Sequence, residues 1–208
     1  MRDTRTYRGL SSQERVGDRR ERLLTAALQR FGTQGYPATT IDTLCADAKV
    51  STRAFYECFT GREAILSALF EQIMAEAMAA VRTVLAAADD PTDEQVSADT
   101  LVSAGLAAYI GYMTTDERRA RVAHAEVRRA GDPLHPSRRR SVHEFADLVA
   151  DLAQGRTGLD DAEVHRVAIG LIGAIQELVI DWIGSEPRPP ASVVLTSAEH
   201  IFISALSK

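Results

Sequence analysis

Thr39 to Phe59, TTIDTLCADAKVSTRAFYECF, admits fewer folds than any other stretch of this chain. Ile41, Leu44, Cys45 and Ala48 recur at i, i+3, i+4 and i+7, an apolar stripe along one face of a short helix. Thr39 or Thr40 stands where a side-chain oxygen accepts from a free backbone N–H of the first turn. Lys49-Val50 interrupts the pattern, and Ser51 offers a second cap ahead of Phe55 and Phe59, four residues apart. Two short helices joined by a tight turn satisfy this pattern. Thr52, Arg53 and Tyr56 fall on positions that the apolar face of the second helix leaves free. A short helix with a polar outer face fits the major groove of DNA. An ordinary helical hairpin inside an all-α core fits the same letters.

The distribution of charge separates this stretch from the rest of the chain. The 208 residues carry a net −5, yet residues 1–62 hold 11 Lys and Arg against 7 Asp and Glu, and residues 63–208 hold 13 against 22. A basic first third on an acidic remainder is the asymmetry of a nucleic-acid-binding head on a different body. Residues 1–17 lack periodicity and read as a flexible basic arm, with Arg2, Arg5, Arg8 and Arg15 open to phosphates or simply to solvent.

Helical periodicity continues to the end of the chain with no strand-like alternation. The first helix is expected from Asp18 to about Gln34, and a long one from Arg62 to about Ala88, about 40 Å at 1.5 Å per residue. Further helices are expected near 95–113, 116–130, 137–154, 160–183 and 191–206, separated by Gly- and Pro-bearing breaks. The fold class is all-α with about nine helices: a helix-turn-helix unit over 18–61 and a second helical domain over 62–208. The apolar runs read as broken by charge before about 18 residues, and the N-terminus lacks an apolar signal core, so an intracellular, cytoplasmic protein with no membrane partner is expected. Cys45 and Cys58 make no disulfide framework, and Cys45 defaults to the core.

The last two helices are apolar over more than one face. Val167, Leu171, Ala174, Leu178 and Trp182, with Val194, Ala198, Ile201 and Phe202, form the expected seam with a second copy, a four-helix bundle of two-fold symmetry; burial within one chain is the alternative.

Residues Ala27, Phe31, Gly35, Thr39, Thr40, Ile41, Leu44, Ala48, Val50, Ser51, Phe55, Tyr56, Phe59, Glu63, Ala64 and Ile65 together resemble the DNA-binding domain of the TetR family of transcriptional regulators, from about Arg20 to Leu69. The resemblance implies binding to a double-stranded DNA operator, a homodimer joined by the last two helices, and an all-helical ligand-binding body. Carried across by position, Thr40 and Tyr56 become phosphate contacts, as does Arg62 at the start of the fourth helix, where the dipole also favours an anion. Arg53 is the first candidate for reading a base, bidentate to guanine, or else one more phosphate contact; Thr52 and Lys49 come second, with Ser51 as the cap. Glu57 stands four residues from Arg53, placed to orient it or to accept from cytosine. The chain departs from the family at Lys49, where Gly is usual in the turn, and at Arg53, Ala54, Glu57 and Cys58, so its operator should be its own.

Candidate pocket residues in the body are Phe70, Met74, Leu106, Tyr109, Ile110, Met113, Glu126, His143, Phe145 and Gln176, each also suited to the core. Glu126 falls on an inward face, where a cationic ligand would supply the partner that a buried carboxylate needs. An effector bound there would change the separation of two reading helices through the 62–88 helix, most simply releasing a repressor from a palindromic operator. A DNA-binding dimer governed without a small ligand is the alternative. An enzyme is the remotest reading. His124, His135, His143, His165 and His200 lie scattered with no HExxH spacing, no Cys ligands and no Gly-rich phosphate loop, so neither a metal nor a cofactor is expected.

Overall fold

The computed structural model describes residues 12–88, 97–131, 134–153 and 158–206. Within these residues the fold is all-α, with nine helices and no strand. They are α1 (Ser12–Thr33), α2 (Ile41–Ala48), α3 (Thr52–Cys58), α4 (Arg62–Ala88), α5 (Ala98–Thr115), α6 (117–129), α7 (His135–Ala153), α8 (Asp161–Gly184) and α9 (Ala191–Leu206). α6 is a composite: its middle, Arg121–Glu126, winds as a wider π-helix between two α-helical ends.

One expectation at the N-terminus is corrected. Helix α1 begins at Ser12, so 12–17 belong to a helix and not to an arm. Glu14 in the first turn complements the helix dipole, and Arg22 reaches back one turn to Asp18 at 2.9 Å. Arg2, Arg5 and Arg8 lie outside the described residues.

Helices α1 to α3 close over Leu23, Ala27, Phe31, Leu44 and Phe55, all fully buried, and the first turns of α4 complete this core with Ile65 and Leu66. α4 then runs on into the body, where it packs along α5 and against α7. α8 pairs with α7 and α9, and α9 returns to α5. α6 lies against α1, α4 and α8, which places it between the reading unit and the body.

The expectation that charge cuts every apolar run short is also overturned. Over 18-residue windows with at most two charged residues, α4 and α8 reach mean hydropathies of 1.5 and 1.6, enough by length and composition to cross a membrane. In α4 the apolar side faces this chain's own core: Ile65, Leu66, Leu69, Phe70, Ile73, Met74, Ala77, Met78 and Val81 are buried. α8 has only 28% of that window buried and leaves an apolar face uncovered.

Candidate nucleic-acid interface and cavity

The turn between α2 and α3 is held by side chains on both of its ends. Thr40 caps α2 by accepting from the Thr43 backbone N–H at 3.2 Å, while Thr43 Oγ1 accepts from the Thr40 N–H at 3.1 Å. Ser51 caps α3 by accepting from the Ala54 N–H at 3.2 Å. Between them Lys49 adopts a left-handed conformation at φ 54°, ψ 47°, the strain that a non-glycine residue bears at this corner, about 1 kcal/mol. The turn is tied to α1 by Arg22, whose Nη1 donates to the Ala48 carbonyl at 3.0 Å. Arg30 forks onto Asp47 at 2.5 and 2.8 Å and fastens α1 to α2; these hydrogen bonds hold the Asp47 carboxyl below its ordinary pKa.

With this frame fixed, one polar face stays open to solvent. Thr40, Lys49, Ser51, Thr52, Arg53 and Tyr56 are all exposed along the turn and α3. The Arg53 side chain is 92% exposed and lies 3.6 Å from Glu57 Oε1, the pairing expected from their spacing. Glu57 also accepts from Arg19 of α1 at 3.0 Å, so it bridges α3 to α1 and is held in place for Arg53. Tyr56 is 55% exposed, its ring edge-on to buried Phe55.

Arg62, expected to meet a phosphate, is half-buried and also holds the domain's own backbone. Its Nη1 donates to the Thr39 carbonyl at 2.7 Å, and its guanidinium lies 4.7 Å over the Tyr36 ring. It braces the approach to α2 from inside the domain. Nothing in the sequence points to Tyr36, because its polar side-chain and N–H partners, Glu63, Arg62 and Glu126, come from elsewhere in the chain. Its hydroxyl donates to Glu63 at 2.6 Å; burial, then this hydrogen bond, pushes its pKa up to about 12.

Glu126 is fully buried and already has its partners. It accepts from the Tyr36 backbone N–H at 2.7 Å, from Arg129 at 2.6 Å and from Arg121 at 3.4 Å, so the cationic ligand expected for it is replaced by two arginines of its own helix. The neighbouring loop is shaped around it. Gly35 sits at φ +86°, and a Cβ there would lie 3.2 Å from Glu126 Oε2. Two residues away along α6, buried His124 meets the Tyr109 hydroxyl of α5 at 3.1 Å. Burial first, then Arg128 and Arg138, lowers the His124 pKa to about 3, so the ring is neutral.

Tyr109 lines a narrow, partly open cavity in the body, of about 60 Å³. Met74, Leu106, Tyr109, Phe145 and Gln176 line it as expected, whereas Phe70, Ile110, Met113, Glu126 and His143 do not. Phe70, Ile110 and Met113 are spent in the core. His143 instead stacks on His165, with its Nδ1 3.2 Å from the partner ring's Nε2, and links α7 to α8. Lining residues that periodicity does not single out include Val81, Val102, Ser141, Leu148, Ile172 and Ile175. Ser141 Oγ is buried and makes no hydrogen bond among the described residues.

The expected seam of α8 and α9 also needs correction. Leu171, Trp182, Val194, Ala198 and Phe202 are buried within the single chain, Trp182 donating through Nε1 to the Pro189 carbonyl at 2.8 Å. Val167, Ala174, Leu178 and Ile201 are half-buried. A Cβ added at Gly170, Gly173 or Gly184 meets open space, and Val193 is exposed, so the uncovered face runs through those positions.

A capped, arginine-braced two-helix turn that leaves one polar face outward has the geometry of a helix-turn-helix. Residues 23–69 match the model for bacterial regulatory proteins of the tetR family. That match covers the packing unit of the first four helices and leaves the rest of the chain to the comparison of folds. No curated protein matches it in sequence. Among solved structures, it is similar to the fatty acid degradation regulator FadR from Bacillus halodurans, at 16% identity and a TM-score of 0.73 over 89% of this chain and 94% of that one. FadR from Bacillus subtilis in complex with stearoyl-CoA gives 17% identity and a TM-score of 0.73 over 89% and 98%. A transcriptional regulator from Rhodococcus sp. Rha1 gives 18% and 0.73 over 90% and 95%. These likenesses establish the shared fold.

Proposed function

We propose that the chain is a transcriptional regulator, a cytoplasmic homodimeric repressor released from a palindromic operator when a small molecule occupies the cavity of the body. The observation that carries the DNA-binding half is the outward face of α3: Arg53 is almost wholly exposed on a helix whose Ala54 and Phe55 are buried. Thr40 and Tyr56 flank it as backbone contacts, and Arg53 reads bases, with Thr52 and Lys49 second to it. Arg62 acts by holding Thr39 and Tyr36, and so shapes the N-terminus of α2. The uncovered apolar face of α8 and α9 supports the homodimer, because a second copy supplies both the missing cover and the second half-site.

The regulatory half rests on one connected path. The cavity wall includes Tyr109, Tyr109 bonds His124, and two residues further along α6 Glu126 bonds the backbone of Tyr36, beside Arg62 and Thr39. A ligand that displaces Tyr109 acts on α6, and α6 acts on the loop that leads into α2.

Footprinting on the protein's own promoter region tests the reading, with Arg53→Ala as the probe. The variant should keep full stability and lose about 1–3 kcal/mol of discrimination at one symmetric base position. An equal loss on every operator variant removes Arg53 from base reading, and no protected site at all removes the function.

A further inference from the structure

The chemistry of the cavity narrows what it takes. Among the described residues its wall holds no charged side chain: apolar groups from α4, α5, α7, α8 and α9 surround it, with Ser141, Tyr109 and Gln176 as its polar members. Two of these are already engaged, Tyr109 with His124 and Gln176 with Arg128, whose Nη2 donates to Gln176 Oε1 at 3.3 Å. Ser141 is 6% exposed and its hydroxyl has no partner among the described residues. A buried hydroxyl left unpaired is unfavourable, and a ligand atom bonded to it would relieve that.

One helical turn before Ser141, on the same flank of α7, stands Arg138. It is half-buried and makes no hydrogen bond or ion pair with any described residue. Burial, and then the charge of Arg128, lowers its pKa from the ordinary guanidinium value. Arg128 itself is shared between Gln176 at the cavity wall and exposed Glu177, at 2.5 Å. Neither arginine lines the cavity itself: Arg128 bonds Gln176 of its wall, and Arg138, near enough to feel the charge of Arg128, stands one turn before Ser141 of that wall. A partly desolvated cation without a counter-ion is unfavourable alone and favourable with an anion.

We propose that the cavity binds an amphipathic anion, its hydrocarbon part lying along Val81, Leu106, Phe145 and Ile175 and its acidic head group held by Arg138 and Arg128 with the Ser141 hydroxyl donating to it. The inference rests on the reading of this cavity as the effector site. The shared chemistry is a carboxylate or a phosphate monoester on an apolar chain, and the two are separated by direct comparison.

Titration calorimetry on the full chain with decanoate, decyl phosphate and 1-decanol decides it. One of the two anions should bind at least tenfold more tightly than the alcohol, and which one does so identifies the head group. Each methylene added from octanoate to decanoate should tighten binding roughly fourfold. Arg138→Gln should bring the preferred anion to within about threefold of the alcohol and leave the alcohol unchanged. Equal binding of alcohol and anions, no binding of either anion, or equal loss of all three in Arg138→Gln overturns the proposal. If that variant does not fold, the comparison of anion with alcohol on the unaltered chain still decides. A promoter gel shift is read separately. Failure to bind DNA, with the anion preference intact, sinks the regulator reading and leaves the site standing.

Discussion

Two buried polar groups, Glu126 at the junction and Ser141 in the cavity, are treated in opposite ways. The carboxylate has a partner on each side: a backbone N–H from the reading unit and two arginines from its own helix. The hydroxyl has none among the described residues. A saturated buried charge holds one arrangement of its neighbours, because any displacement leaves it uncompensated. An unsatisfied hydroxyl in an apolar space favours whatever arrives to pair with it. The junction is thus saturated, and the cavity wall keeps one polar group unpaired among the described residues.

Glu126 should answer most strongly to substitution. Glu126→Ala orphans the Tyr36 N–H and opens a void beside Gly35; a loss of about 3 kcal/mol in urea denaturation is expected, moderated because Arg129 and Arg121 keep contact with water. Weakened operator binding should accompany it. A loss under about 1 kcal/mol, the net worth of one ordinary hydrogen bond, would mean that the junction is not a rigid coupling.

Next in size is His124, which lies between the two. Its folded pKa of about 3 is below the unfolded value of 6.5, so the unfolded chain takes up the proton first as pH falls. The stability held by the neutral ring is complete above pH 6.5 and is lost progressively from there towards pH 3, by about 2 kcal/mol at pH 5. His124→Gln should flatten the denaturation midpoint between about pH 6.5 and 5. An unchanged slope in that variant assigns the loss to other groups.

Ser141 should respond least. Ser141→Ala removes an unpaired hydroxyl and should leave stability unchanged or raise it by up to about 1 kcal/mol. A cost approaching that of Glu126→Ala would erase the contrast.

The reading unit is more legible in the sequence than the body, for a physical reason. Thr40 and Ser51 announce themselves as caps because capping acts over three residues, and the stripe of Leu44, Cys45 and Ala48 comes from helical period alone. Arg62 reads from its position as a phosphate contact, yet what it holds, the Thr39 carbonyl and the Tyr36 ring, depends on a loop 23 to 26 residues away. In the body, Leu106 and Ile110 both point inward, yet only Leu106 meets the cavity, and period does not say which inward residue faces a void. For α8 and α9, apolar residues surround the helix, so no periodic contrast separates Leu171 and Trp182 inside from Gly170 and Gly173 outside. The start of α1 escapes a periodic reading because Ser12 to Gly17 has no apolar stripe, and its helix is carried by polar residues instead.

The π-helical turn of α6 has a mechanical consequence. His124 and Glu126 grip different bodies, Tyr109 of the cavity wall and Tyr36 of the reading unit, from one short length of backbone. A shaft keyed at two points cannot turn at one without turning at the other. The six residues from Arg121 to Glu126 carry both contacts on one wide turn, and deleting one residue there is expected to put the two keys out of step.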